Sequence, residues 1–310
     1  MKNDKIDVTK SPFLLMPILL LMWGSLAAIS KLLLNNLDSY QVLFYMYGIG
    51  VAVFFIIVVF KVKFSVMLSW KRSELALLCS CGILTFFYDF FYLKSLQRIP
   101  AIEASMLNYL FPIFIVLFAI PIHKEKMTIY KILSLGMGFM GTILLVSKGN
   151  LANVTFTNFK GDLFAILAAV SWGLFTNLIK KNQKDMFLST FFITLTAFVL
   201  SVGVMITSSE FILPQRTDFL GVSWLSISNI VLGFFLYFRA LKYSPASLIA
   251  SFTFFTPFVT LVFIVVLLGE KLTITDYFAA LLIFFSVPIQ KVHNILGKKK
   301  KQLINKGNNI

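Results

Sequence analysis

One carboxylate, Asp89, sits inside the aromatic run FFYDFF at residues 86–91, and its flanks from Leu75 to Leu93 are also apolar. At helical spacing Thr85, Tyr88, Asp89 and Tyr92 share one face, while Phe86, Phe87, Phe90, Phe91 and Leu93 form the other. An ionised carboxylate turned toward lipid costs roughly 2.5–3.5 kcal/mol. Such a group faces a water-filled cavity, pairs with a cation, or holds a proton. Each escape points to the centre of a helix bundle. The chemistry expected of Asp89 is therefore binding of a substrate ammonium group or proton coupling. The plainer alternative is a hydrogen-bonded aspartate that locks helices together, with Lys94 or Arg98 as its partner.

A second stripe follows in the next apolar segment. Ala101, Ser105, Asn108 and Pro112 repeat at helical spacing, with Tyr109 adjacent. Small residues allow close helix approach, and Asn108 can hydrogen-bond across helices. Pro112 removes a backbone donor and is expected to kink its helix, and Pro257 to do the same later in the chain. These two prolines are candidates for the moving, gate-forming positions. Trp23 and Trp172 fall near mid-span, not in the interfacial belt where tryptophan usually sits, and each is followed by glycine. Such a ring either packs as an apolar body or stacks on a ligand. Thr176, Asn177 and Asn229 are further polar candidates. Glu103 and Asp162 read as charges at helix ends, and Glu125 and Glu270 as loop structure.

The elements that must hold these residues follow from composition. The chain has 310 residues, 58% of them hydrophobic and only 13% charged, about half the charged share of a soluble domain. Its mean hydropathy is +0.87. This is an all-α integral membrane protein. Ten apolar segments of spanning length lie at roughly 12–33, 41–60, 74–95, 100–121, 129–147, 161–180, 187–207, 219–240, 245–268 and 273–292. The connections between them leave no room for a soluble domain. With the N-terminus in the cytoplasm, 21 basic residues fall on the inner side and 7 on the outer. That bias predicts both termini inside. The net charge of +15 thus reflects orientation rather than nucleic-acid binding, and KKKK at 298–301 reads as a solvated tail near anionic lipid.

The chain also repeats itself. YLKSLQRIPA at 92–101 resembles YFRALKYSPA at 237–246, and the same offset continues without a gap through Pro112 and Pro257 to Glu125 and Glu270. Earlier, MWGSL at 22–26 echoes SWGLF at 171–175. Two five-helix halves result, residues 12–147 and 161–292, with a basic cytoplasmic tail at 293–310. Five is odd, so the second half enters the membrane from the opposite side. Inverted repeats of this kind place a binding site near the midplane and open it alternately to either side.

Two five-helix halves, WG in the first helix of each, and LNYLFPIFIVLF at 107–118 followed by EK resemble the EamA-type branch of the drug/metabolite transporter superfamily. Within it, YDFFY and NYLFP are most similar to the bacterial aromatic amino acid exporters. The resemblance implies ten helices with cytoplasmic termini and a central cavity lined by Tyr88, Tyr92, Tyr109 and Trp172. One kind of exporter in that group carries a histidine where this chain has Asp89, and a carboxylate there favours a substrate ammonium or a proton.

The function expected is secondary transport, exporting amino acids or related small metabolites across the inner membrane of a bacterium. The substrate contacts expected are Trp23, Thr85, Tyr88, Asp89, Tyr92, Asn108, Tyr109, Trp172 and Asn177. Organic-cation or drug transport and metabolite uptake are the alternatives. No GxxxxGK[ST] loop occurs, so ATP is not the driver. An enzyme is disfavoured: His123 and His293 both lie at segment ends, and no GxSxG elbow is present. No cofactor and no metal are expected, and the protein is expected to act in lipid as a monomer or homodimer.

Overall fold

The computed structural model describes residues 11–61, 70–99, 101–147, 149–150, 158–259, 274–275, 277–286 and 289. The basic tail, Glu270 and Lys271 lie outside the described residues. The described chain is helical. Its first half holds α1 (Pro12–Trp23), α2 (Leu26–Leu33), α3 (Ser39–Lys61), α4 (Arg72–Leu96), α5 (Ala101–Asn108), α6 (Phe111–His123) and α7 (Ile129–Val146). The second holds α8 (Phe159–Ile179), α9 (Met186–Ser208), α10 (Arg216–Leu225), α11 (Leu232–Tyr243) and α12 (Ala246–Thr253). A one-turn π segment, Ser226–Val231, joins α10 to α11.

Seven helices among the described residues are long and apolar enough to cross a membrane by length and composition. Shorter apolar helices lie at Ile129–Leu144, Ala246–Val259 and Tyr277–Ser286, where the sequence places its fifth, ninth and tenth spans. Helices are what lipid demands, because each backbone group must find its partner within the segment. Their starts are set by polar side chains. The Asn158 carboxamide oxygen accepts from Gly161 N at 3.1 Å, and the Asp185 carboxylate from Leu188 N at 2.9 Å.

The prolines interrupt the helical hydrogen bonding without ending the helical course of the backbone. In the helix that contains Pro112 the regular bonding lapses at Tyr109–Leu110, where Leu110 keeps helical dihedrals, and α6 resumes it with Pro112 in its first turn. The same break recurs at Phe254–Phe255 ahead of Pro257. Proline cannot donate to the carbonyl four residues back. At the second site the Thr256 hydroxyl substitutes, donating to the Thr253 carbonyl at 2.8 Å. The two short helices before the breaks, α5 and α12, each have 8 residues and match at the offset seen in the sequence.

The halves interlock. α4 packs along α8, α3 along α9, α6 against both α8 and α12, and α1 against α11. Glycine permits the closest of these approaches. A Cβ on Gly173 would lie 2.6 Å from Phe114 Cβ, and one on Gly82 would lie 2.6 Å from the Ile193 carbonyl oxygen. The glycine after Trp172 therefore serves the α8–α6 contact.

Candidate functional site

The Trp-Gly segments of the two halves meet. Trp23, the last residue of α1, and Trp172, midway along α8, stand edge to face with ring centroids 5.4 Å apart. Tyr237 of α11 closes the group, 5.2 Å from Trp23 and 5.4 Å from Trp172. Its hydroxyl is 2.8 Å from Thr176 Oγ1 and also faces the Trp172 indole N–H, which fixes the ring at its polar tip. From the other side Tyr88 of α4 approaches Trp172 to 4.7 Å and lies parallel to Tyr92 at 6.2 Å, one helical turn on.

Polar atoms rim this cluster. Asn108 at the end of α5 donates to the Tyr88 hydroxyl at 3.4 Å, and Tyr92 and Ser105 bring their hydroxyls to 3.4 Å. Among the described residues the buried Asn108 carboxamide oxygen has no hydrogen-bond partner, while the Trp172 indole N–H faces the Tyr237 hydroxyl. A buried polar atom left without a partner costs about 1–3 kcal/mol. Such an atom beside an aromatic cluster is the kind a polar ligand can satisfy.

Asp89 lies at the margin of this group. Its Oδ2 accepts from the Tyr47 hydroxyl of α3 at 2.5 Å. Lys94 is turned away, with its ammonium 3.7 Å from the centroid of the Tyr40 ring, and Arg98 donates to the Lys94 carbonyl and covers the Phe164 ring. Among the described residues no cation pairs with Asp89. The carboxylate is thus held by a neutral donor, and its charge is not cancelled by a lysine or arginine. Tyr47 is fully buried and was not singled out from the sequence.

The remaining sequence candidates separate. Thr85 bonds the Cys81 and Gly82 carbonyls of its own helix. Tyr109, 6.4 Å from Phe111, stays with the cluster, close enough to Tyr88 and Tyr92 for their hydroxyls to interact electrostatically. Asn177 donates to the Ile115 carbonyl at 2.9 Å and the Gly173 carbonyl at 2.8 Å, tying α8 to α6. Asn229 lies in the π segment and donates to Leu225 O and Ser228 Oγ. Such one-turn π insertions cluster at functional positions. Glu103 and Asp162 lie in the first turns of α5 and α8, as expected of helix-end charges, and both are buried. Among the described residues no group of His, Cys, Asp or Glu gathers to hold a metal ion.

Residues 10–147 and 159–289 match the EamA-like transporter family. The chain belongs to that family. An uncharacterized transporter of Archaeoglobus fulgidus is 25% identical over 86% of this chain and 92% of its own length. YoaV of Bacillus subtilis, also an uncharacterized transporter, is 28% identical over 76% and 80%. The aromatic amino acid exporter YddG of Ancylobacter novellus is 24% identical over 58% of this chain and 63% of its own. A solved crystal structure superposes with a TM-score of 0.76 at 22% identity, covering 90% of this chain and 96% of the other, so the fold is shared. The family and these relatives are membrane transporters, not enzymes.

Proposed function

We propose that this EamA-family protein is a secondary transporter that exports amino acids, aromatic ones foremost, across a bacterial inner membrane by alternating access. It does so through ten spans arranged as inverted halves, residues 12–147 and 161–292, with both termini cytoplasmic. The observation that carries this reading is the meeting of Trp23 and Trp172 beside Tyr88, next to a carboxylate with no cationic partner among the described residues. Equal short helices before Pro112 and Pro257 support the paired moving parts. The sequence kinship to YddG supports the substrate class.

In this mechanism the rings of Trp23, Tyr88, Tyr92, Tyr109 and Trp172 receive the substrate side chain. Asn108 offers its free oxygen to the ammonium group. Asp89 either pairs with that ammonium or takes a proton when the site empties, and Tyr47 hands over its hydrogen bond as this happens. Thr85 and Asn177 hold the helices that carry these groups. The breaks at Pro112 and Pro257 let the short helices swing while the long ones stay packed.

A second reading, transport of organic cations, rests on the same rings and carboxylate, because an aromatic box with one negative charge also suits a quaternary ammonium. Counterflow into proteoliposomes separates the two. Phenylalanine, tyrosine and tryptophan loaded inside should drive uptake of labelled phenylalanine, and a tetraalkylammonium should not. Counterflow of labelled tetraalkylammonium without any of phenylalanine would favour the second reading, and counterflow of neither would remove both.

A further inference from the structure

The two Trp-Gly helices share a second feature. Lys31 follows Trp23 at the same interval at which Lys180 follows Trp172. Lys31, in the last turn of α2, donates to the Leu96 carbonyl at 2.8 Å. Lys180, the residue that ends α8, donates to the Leu241 carbonyl, also at 2.8 Å, and to the Ser244 carbonyl. Leu96 and Leu241 are identical, aligned positions of the internal repeat. In each half a lysine at the end of the first helix therefore grips the last turn of the third, where the chain turns into the proline-broken fourth.

Elementary electrostatics explains the choice of residue. The last carbonyls of a helix have no partner of their own and carry the negative end of its dipole. An ammonium on a long stem can reach them from a neighbouring helix, hold them while the helices stay together, and move into water when they part. The two carbonyls that it holds keep the Lys180 ammonium in place.

We propose that Lys31 and Lys180 are paired latches, one closing the outer mouth of the transport path and one the inner. This rests on the inverted arrangement of halves proposed above. Both latches are closed in the structure, as an occluded state requires. Releasing Lys31 frees α2 from the end of α4 and opens the outer side. Releasing Lys180 frees α8 from the end of α11 and opens the inner side. Alternating access requires that they not release together. The inner latch holds two carbonyls and the outer one, so the outer mouth opens more readily at rest.

Reporter cysteines at Ser95 and Ala240 test this, since both are fully buried one residue before a latched leucine. They are placed singly in the full chain, with Cys79 and Cys81 changed to serine, in oriented liposomes. A membrane-impermeant methanethiosulfonate is applied from the side facing each reporter. A charge-assisted hydrogen bond changes an equilibrium about tenfold or more. Lys31→Met should therefore speed modification of Ser95→Cys about tenfold and slow that of Ala240→Cys. Lys180→Met should do the reverse. Lys31→Arg and Lys180→Arg should stay near the parent rates. Lys31→Gln and Lys180→Gln provide the same comparison where a methionine variant does not reach the membrane. Unchanged reporters, or either variant exposing both reporters at once, would overturn the latches. The readout needs no substrate. Latches can thus fail while phenylalanine counterflow succeeds, and a failed counterflow leaves them standing.

Discussion

Glu125 offers the most quantitative test of how the halves are clasped. It lies in the loop after α6. One carboxylate oxygen accepts from Lys131 Nζ at 2.9 Å and Ser247 Oγ at 2.7 Å, and the other from Ala246 N at 3.1 Å. It thereby ties the first half to the start of α12, where a negative charge also suits the helix dipole. Glutamine keeps the shape but carries one acceptor oxygen. If that oxygen faces Lys131 and Ser247, the amide N–H₂ meets the Ala246 N–H. All three contacts are partly buried, and the charge-assisted bonds are worth about 1.5–3 kcal/mol each. Glu125→Gln should therefore cost about 2–3 kcal/mol at pH 7. Unfolding of the purified protein from mixed micelles by sodium dodecyl sulfate measures it.

The pH dependence has a definite sign. Burial alone would raise the Glu125 carboxyl, but Lys131, Ser247 and the Ala246 N–H outweigh it and hold it below the usual glutamate value. A group depressed in the folded state stabilises it above the unfolded pKa, near 4.3, and loses that contribution as pH falls through the folded value. The gap between wild type and Glu125→Gln should be full at pH 7 and close below about pH 4. Equal stabilities at pH 7, or a gap unchanged by acid, would refute the clasp.

Other expectations are as direct. Gly173→Ala should cost about 1–3 kcal/mol by overpacking α8 against α6, whereas Gly136→Ala, where a Cβ meets open space, should cost nothing in the same unfolding assay. Tyr47→Phe removes the hydroxyl that holds Asp89. It should lower the initial counterflow rate of phenylalanine in the same direction as Asp89→Asn, and the double variant should be no worse than the worse single one.

Much of the fold was legible because membranes enforce simple rules. Apolar length gave the long helices, and Pro112 and Pro257 at equal repeat positions marked the breaks. The sequence expected bent helices there, and the helical bonding lapses at Tyr109–Leu110 and Phe254–Phe255 while Leu110 and Phe254 keep right-handed helical dihedrals. The aromatic cluster was half visible. The two Trp-Gly pairs announced themselves by repetition, and Tyr237 stood in the repeat as the partner of Tyr92, although neither the alignment nor its spacing says that it touches both tryptophans. The partner of Asp89 was not legible. Lys94 and Arg98 were near in sequence and of the right charge, but Tyr47 lies 42 residues away on another helix and is one of 10 tyrosines. Helix periodicity orders residues on one cylinder. It does not say which neighbouring cylinder each face meets, and that choice decided both the hold on Asp89 and the burial of Glu103 and Asp162.

Efflux of labelled phenylalanine from proteoliposomes, with wild-type protein and with Asp89→Asn, each with and without a proton gradient, tests the proposed transport most directly. Wild-type efflux that the gradient accelerates, and that Asp89→Asn abolishes or renders indifferent to the gradient, is the expected result. Efflux equal in the two proteins and equally sensitive to the gradient would contradict the role of Asp89. No efflux from folded wild-type protein would contradict the amino acid substrate.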